Sequence, residues 1–488
     1  MKRILAAAIF IAVLVGLYFT LMPATKETVL ASGGAATPTP QTTAQVQCAA
    51  TTQTLINGTT IPAIPDFGSI TDGDFSLDNL QCAFDSYSWN SFLALNHSPD
   101  GAFGDKSGDN ETVWETWAES SDIFLTGGAD PGAAGATPPR EIPDECKALG
   151  DTKGLRVISQ IGKHPDLLEE ATQPFNSGPL IDTNGWYSRF AISVNQPMYD
   201  YITENQLYNK AGQAAFSQAG NAVNFTCSCD PDATGSKCSP QGQQGAMMVK
   251  AAWKVIAGTD VAADFHATEA LVYTPALNDK PASCEIQQMG LVGFHIGHKT
   301  INDPQWLWST FEHVANVPEA GRPQSRASYN YFQPDCEDCN DVNTPPAQPW
   351  NPHVQPVAQN MGKSQIERSI PVTDHTVAMN TVVQNELTKG TVWENYHLIS
   401  TQWPTQATLG TPTTPSAENG WCTSLNPVDP TGAPAPTFLA NTTLESYIQG
   451  TVPQASSNCI SCHKDATMTD GTFSDFTYLL ERAKGPTQ

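Results

Sequence analysis

Apolar residues recur at three- and four-residue intervals through SLDNLQCAFDSYSWNSFLALN, residues 76–96, and again through QWLWSTFEHVANV, residues 305–317. That spacing puts one stripe of side chains along one side of a 3.6-residue turn, so both stretches are expected to be helices packed on a core. A different pattern occupies GAMMVKAAWKVI (245–256), TEALVYT (268–274) and MGLVGFHIGH (289–298). These are short, nearly unbroken apolar runs that fit buried strands as well as helices. No fixed-period repeat interrupts the series. The expected class is α+β or mixed α/β.

Towards the C-terminus, Thr442 and Glu445 have the spacing of a capping box for a helix over TLESYIQ, with Gly450 as its stop. Further on, Phe476, Leu479, Leu480 and Ala483 stand at i, i+3, i+4 and i+7 of one helix. Two helices around a short turn would make a small helical cap over residues 441–488, set against a large body over 48–440. Gly- and Pro-rich stretches at 126–140, 342–357 and 404–420 read as surface loops or boundaries within that body.

The turn of the expected cap contains Cys459-Ile460-Ser461-Cys462-His463. Two thiols three positions apart can add to the two vinyl groups of one porphyrin, and the adjacent imidazole can reach the iron. A zinc site would need two further ligands, and neither Cys nor His recurs after His463. The expected cofactor is one covalently attached haem c, bound through Cys459, Cys462 and His463.

Composition places this motif in an export setting. Met1-Lys2-Arg3 precedes an apolar stretch from Ile4 to Met22, which is followed by small and polar residues. Residues 1–31 are expected to be either a cleaved signal sequence or an N-terminal membrane anchor through 4–22, with 32–47 as a flexible tether. The body would then lie outside the cytoplasmic membrane, periplasmic or extracellular. Ten further cysteines suit disulfides in that compartment, Cys336 and Cys339 among them, since the Cys336-Glu-Asp-Cys339-Asn340 run lacks the haem histidine. With 49 acidic against 24 basic residues and a formal charge of −25, nucleic acid is not an expected partner. A redox protein or a small-molecule electron donor or acceptor is.

The ligand on the other side of the iron must come from elsewhere. Met468 follows His463 so closely that its segment would have to run fully extended around the ring edge, at about 3.3–3.6 Å per residue. Upstream, His295 stands in an apolar run where an imidazole needs a polar partner, and His298 and His313 are alternatives. Met247, Met248 and Met289 could offer a thioether but suit core packing better. Trp114, Trp117, Trp306 and Trp308 read first as core, and His266 with Glu269 has one-face helical spacing but too few ligands for a metal.

Taken in order, WNSFLALN with VWETW, NGWYSRF, VKAAWKVI, MGLVGFHIGHKT, WLWSTFEHVANVP, NYHLISTQWP and the terminal NCISCHKDA…DFTYLLERA resemble exported bacterial proteins of the cytochrome c family with a single C-terminal haem motif. The resemblance implies haem binding and electron transfer and transfers directly to Cys459, Cys462 and His463. It supplies no substrate. Two classes stay open on the residues: an electron carrier, or a haem oxidoreductase with an open iron position or a substrate-oxidising body relaying electrons to the haem.

Overall fold

A computed structural model describes residues 77–98, 111–136, 138, 142–152, 154–158, 178–229, 243–274, 276, 281–300, 303–347, 350–351, 354–405, 432–450 and 457–486. The expected signal, anchor and tether lie outside them. Among the described residues no helix is long and apolar enough to cross a membrane.

The three apolar runs that fitted either element are strands of one sheet. In chain order the strands are β1 (Ala118–Glu119), β2 (Arg156–Ile158), β3 (Arg189–Val194), β4 (Met247–Val255), β5 (Ala267–Thr274), β6 (Ser283–His298), β7 (Leu307–His313), β8 (Tyr396–Pro404) and β9 (Pro434–Ala435). They line up as β1-β3-β4-β6-β7-β8-β9, with β5 joining the outer half of β6 and carrying β2 on its far edge. Only the β2–β5 pair is parallel. With helices added, the class is α+β, as expected.

β6 is the central element because its first half pairs with β5 and its second half lies between β4 and β7. One extra residue, Val292, sits between Leu291 and Gly293 opposite the Trp253–Ala252 step. Such a bulge resets the alternation, and beyond it the faces separate cleanly. Phe294 and Ile296 join Phe311 beneath helix α1 (Leu77–Leu95), whose Phe92 stacks on Phe311 at 4.3 Å and meets Phe294 edge-on at 5.7 Å. Burying each such ring contributes about 1.5–3 kcal/mol. Ser88 of the same helix bonds both Ser309 Oγ and Thr401 Oγ1, so its polar atom is satisfied where it is buried. The other face, carrying Gly293, His295 and Gly297, receives residues 441–445 and 457–483.

Three expected helices take other forms. Residues 305–317 hold the strand β7, all seven of whose residues are buried. A central strand covered on both faces loses the polar side that would distinguish the two periods. No helix forms over TLESYIQ, because Thr442 gives its N–H and its hydroxyl to the Glu312 carboxylate while Glu445 accepts from the Asn441 N–H at 3.0 Å. In the last stretch only a short 3-10 turn, Tyr478–Arg482, is helical, and Phe476 has φ 65°. Phe476, Leu479, Leu480 and Ala483 are nonetheless all buried in one cluster. Burial was legible in their spacing; helicity was not.

Two disulfides are defined at both ends. Cys146–Cys284 ties the 142–150 segment to the start of β6, and Cys336–Cys339 closes a surface loop. Cys82 and Cys227 are also half-cystines. Buried ion pairs add polar ties: Arg156 with Glu115 and Glu119, Lys254 with Asp260, and Arg368 with Glu312.

Gly293 is where the sheet accepts the tail most closely. A β-carbon there would overlap Thr443 Oγ1 and stand 3.1 Å from Asn441 Oδ1. Gly293→Ala is expected to lower unfolding stability by about 1–3 kcal/mol, measured by denaturant titration, whereas Gly321→Ala, with open space around it, should cost only its backbone strain.

Candidate functional site

One row of the sheet forms the floor under the Cys459–His463 turn. Val194 pairs with Met248, Met248 with Gly297, Gly297 with Trp308 and Trp308 with Gln402. Pairing across strands aligns these side chains on one face. Val194 and Trp308 share a buried cluster with Ile460, and Met248 packs against it. Gly297 lets its neighbours close over the strand: a β-carbon there would stand 3.0 Å from Met248 Cε and 3.5 Å from the Trp306 ring.

The turn itself is the short helix α2 (Cys459–His463). Asn458 caps it, accepting from the Ser461 N–H at 2.8 Å and donating through Nδ2 to the Thr437 carbonyl at 2.7 Å. A body side chain fixes it from below, since the Ile460 N–H donates to Gln402 Oε1 at 2.9 Å and Ile460 is fully buried. Cys459 and Cys462 carry thiols and are both half-buried. From the other side, the Tyr478 hydroxyl donates to the Cys462 carbonyl at 2.8 Å.

His463 is held between two rings, Trp308 at 4.3 Å and Tyr478 edge-on at 5.3 Å. Its Nδ1 lies 2.8 Å from the Phe476 carbonyl oxygen. A carbonyl can only accept, so in the neutral ring Nδ1 carries the proton and Nε2 the lone pair. That is the tautomer a metal-ligating histidine needs, and a partner on the second nitrogen raises its basicity. Two thiols and one oriented imidazole on a single capped turn fit a covalently bound haem. The residues that would hold such a group are Cys459 and Cys462, through thioethers, and His463, through its imidazole.

The three upstream histidines part company. His298 points to the α1 face, where its Nδ1 bonds the Tyr87 hydroxyl and its Nε2 lies 2.5 Å from the Gln244 carbonyl. His313 is on that same face, its Nε2 bonded to the Asp264 carbonyl at 2.9 Å and its Nδ1 accepting from the Ala315 N–H at 3.2 Å. Both are committed on both nitrogens and separated from His463 by the sheet. Burial pushes His298 down to about 4 and His313 down to about 3, so both are held neutral. His295 alone shares the face of the turn, two residues before Gly297, with Nε2 3.4 Å from Glu445 Oε2.

Among the methionines, Met247 and Met289 are fully buried in the cluster under α1. Met248 is on the turn's face, with Thr477 Oγ1 3.6 Å from its sulfur. Met468 is core, in the cluster around Ile460. Trp114 and Trp306 are fully buried, while Trp308 touches His463. His266 and Glu269 do not share a helical face, because β5 begins at Ala267 and successive side chains alternate. His266 instead bonds Glu115 at 3.1 Å. Burial raises that carboxyl, but His266 and Arg156 outweigh it and hold Glu115 down at about 2. Gln402, the Phe476 carbonyl and the residues that hold it carry no signal in the sequence; only long-range pairing brings them to the turn.

Comparison with protein-family models, curated proteins and solved structures gives no match to this chain.

The buried neutral His298 generates a pH dependence. Its folded pKa is depressed below the unfolded value, so its contribution is complete above about 6.5 and is lost as pH falls towards 4. Asp303, pushed up to about 7 by burial, works in the opposite sense, so the informative quantity is a difference between two chains. His298→Gln is expected to lose about 3 kcal/mol less stability than the wild type between pH 7.5 and 4, by denaturant titration at both pH values.

Proposed function

We propose that this chain is an exported c-type cytochrome that carries one covalently attached haem c and transfers single electrons to or from a redox protein or small molecule. One observation carries the reading: two thiols and His463 stand on one capped turn, with the His463 Nδ1 proton directed to the Phe476 carbonyl. Cys459 and Cys462 would form the thioethers, and His463 would offer Nε2. When bound, the haem supplies an iron that takes up and gives back one electron. The protein's own part is to orient the imidazole, raise its basicity through Phe476 and press Trp308 against it. Disulfides at Cys146–Cys284 and Cys336–Cys339 support the oxidising compartment in which such attachment occurs.

Were the iron to take a second protein ligand, His295 would be supported over His298 and His313, because it lies on the turn's own face and has the Glu445 carboxylate as a partner. Met248, on the same face, is the thioether that would take its place. Two histidine ligands would give a lower potential than histidine with methionine.

Two measurements test the proposal. Acid–acetone extraction is expected to leave colour on the wild-type polypeptide and none on Cys459→Ala/Cys462→Ala; haem that extracts from the native protein sinks the covalent assignment. In visible spectra, His295→Ala should convert a low-spin haem to high-spin, while His298→Ala and His313→Ala leave the bands in place. A wild type that is already high-spin would replace the carrier with the open-site oxidoreductase.

A further inference from the structure

The carbonyl that orients His463 comes from an unusual piece of backbone. Asp475 and Phe476 both have left-handed φ, 52° and 65°. Neither is glycine, and a bulky residue in this region is an outlier that costs about 1–3 kcal/mol unless the surroundings impose it. The hydrogen bond to His463 cannot be what imposes it, since a single neutral bond contributes only about 0.5–1.5 kcal/mol net.

The turn is closed locally by the Thr477 N–H donating to the Ser474 carbonyl at 3.2 Å and by Ser474 Oγ donating to the Thr477 carbonyl at 2.6 Å, and a buried ion pair ties it to the body. Lys299 immediately follows β6, and its Nζ bonds Asp475 Oδ2, each side chain about 1% exposed. The same Asp475 oxygen accepts from the Phe225 N–H at 2.7 Å, and Lys299 Nζ also donates to Asn224 Oδ1 at 2.6 Å. The backbone of Lys299 is itself fastened, donating to the Ala246 carbonyl at 3.0 Å and accepting from the Ser228 N–H at 3.0 Å. Burial pushes the Lys299 amine down and Asp475 opposes that shift. Asp475 is thus bound to the end of the central strand and to the 224–225 segment together. A carboxylate held at two points in the interior leaves its own backbone little choice of φ, and Phe476 follows it.

We infer that Lys299 and Asp475 are positioning residues for His463: the pair forces the left-handed turn that aims the Phe476 carbonyl at Nδ1, and so sets the tautomer and basicity of the imidazole. This rests on the haem reading only for its consequence. The tautomer is a property of the chain alone.

The test therefore begins without haem, in the full-length Cys459→Ala/Cys462→Ala chain, where ¹⁵N NMR reads which nitrogen of His463 carries the proton. Because removing one partner would strand a buried charge, both are changed together. With Lys299→Met/Asp475→Leu, which removes both charges and puts a side chain that disfavours left-handed φ at 475, the preference for Nδ1–H is expected to fall towards that of an unfolded histidine. With Lys299→Met/Asp475→Gly it should be retained, because glycine adopts φ near 52° without needing the ion pair. In the haem-bearing chain the Leu variant should show a reduction potential raised above the wild type, since a less basic imidazole stabilises the oxidised iron less. A Leu variant that folds and keeps the wild-type tautomer overturns the inference, and so does failure of both double variants to fold, which would make the pair a determinant of the fold alone. If the tautomer responds but no covalent haem is found, the inference stands and the haem reading fails.

Discussion

Everything on either side of the sheet depends on the second half of β6, Met289–His298, being covered on both faces. A strand covered once can leave polar groups to water; one covered twice must find a protein partner for each. The bulge at Val292 makes this workable by shifting the alternation, so that Phe294 and Ile296 go to the helix side and Gly293, His295 and Gly297 to the tail side. The two covers differ in chemistry. Aromatic stacking dominates under α1, whereas threonine, asparagine and glutamate side chains meet the sheet at 441–445.

Charge follows the same constraint. The chain is strongly acidic, with a formal charge of −25, and several of its few basic residues are in the interior. Arg156, Lys254, Lys299 and Arg368 are each buried, and each meets at least one carboxylate. Such pairs stabilise little in net terms because desolvation offsets attraction, but breaking one leaves an uncompensated charge. Their effect is to fix which segments lie together. Arg368 and Glu312 join a loop to β7, and Glu312 then takes the hydroxyl and N–H of Thr442. Lys299 and Asp475 do the corresponding job beside the Cys459–His463 turn.

The turn is consequently part of the body's packing. Ile460, Leu479 and Leu480 share a cluster with Val194 and Trp308, and Gln402 bonds the turn's backbone. Its thiols and imidazole stand on a short helix supported by a central sheet, a more rigid mount than a loop would give.

Local chemistry was readable from the chain by itself. The Cys459-x-x-Cys462-His463 spacing marks the turn, the periodicity over 77–95 marks a helix, and the spacing of Phe476, Leu479, Leu480 and Ala483 marks a buried set. Each of these depends on residues a few positions apart, where a 3.6-residue turn or an alternating strand relates them directly. Residues 305–317 became a strand because both of its faces are covered, and periodicity cannot distinguish helix from strand once no face is polar. His298 and His313 were separated from His463 by the parity of their positions after a one-residue bulge, which no local pattern announces. Thr442 met Glu312 instead of capping a helix because β7 stood within range, and Glu445 came to lie beside His295. Which side of a sheet a histidine faces, and which distant carboxylate a lysine meets, are set by strand register and long-range packing, and these exist only once the chain has folded.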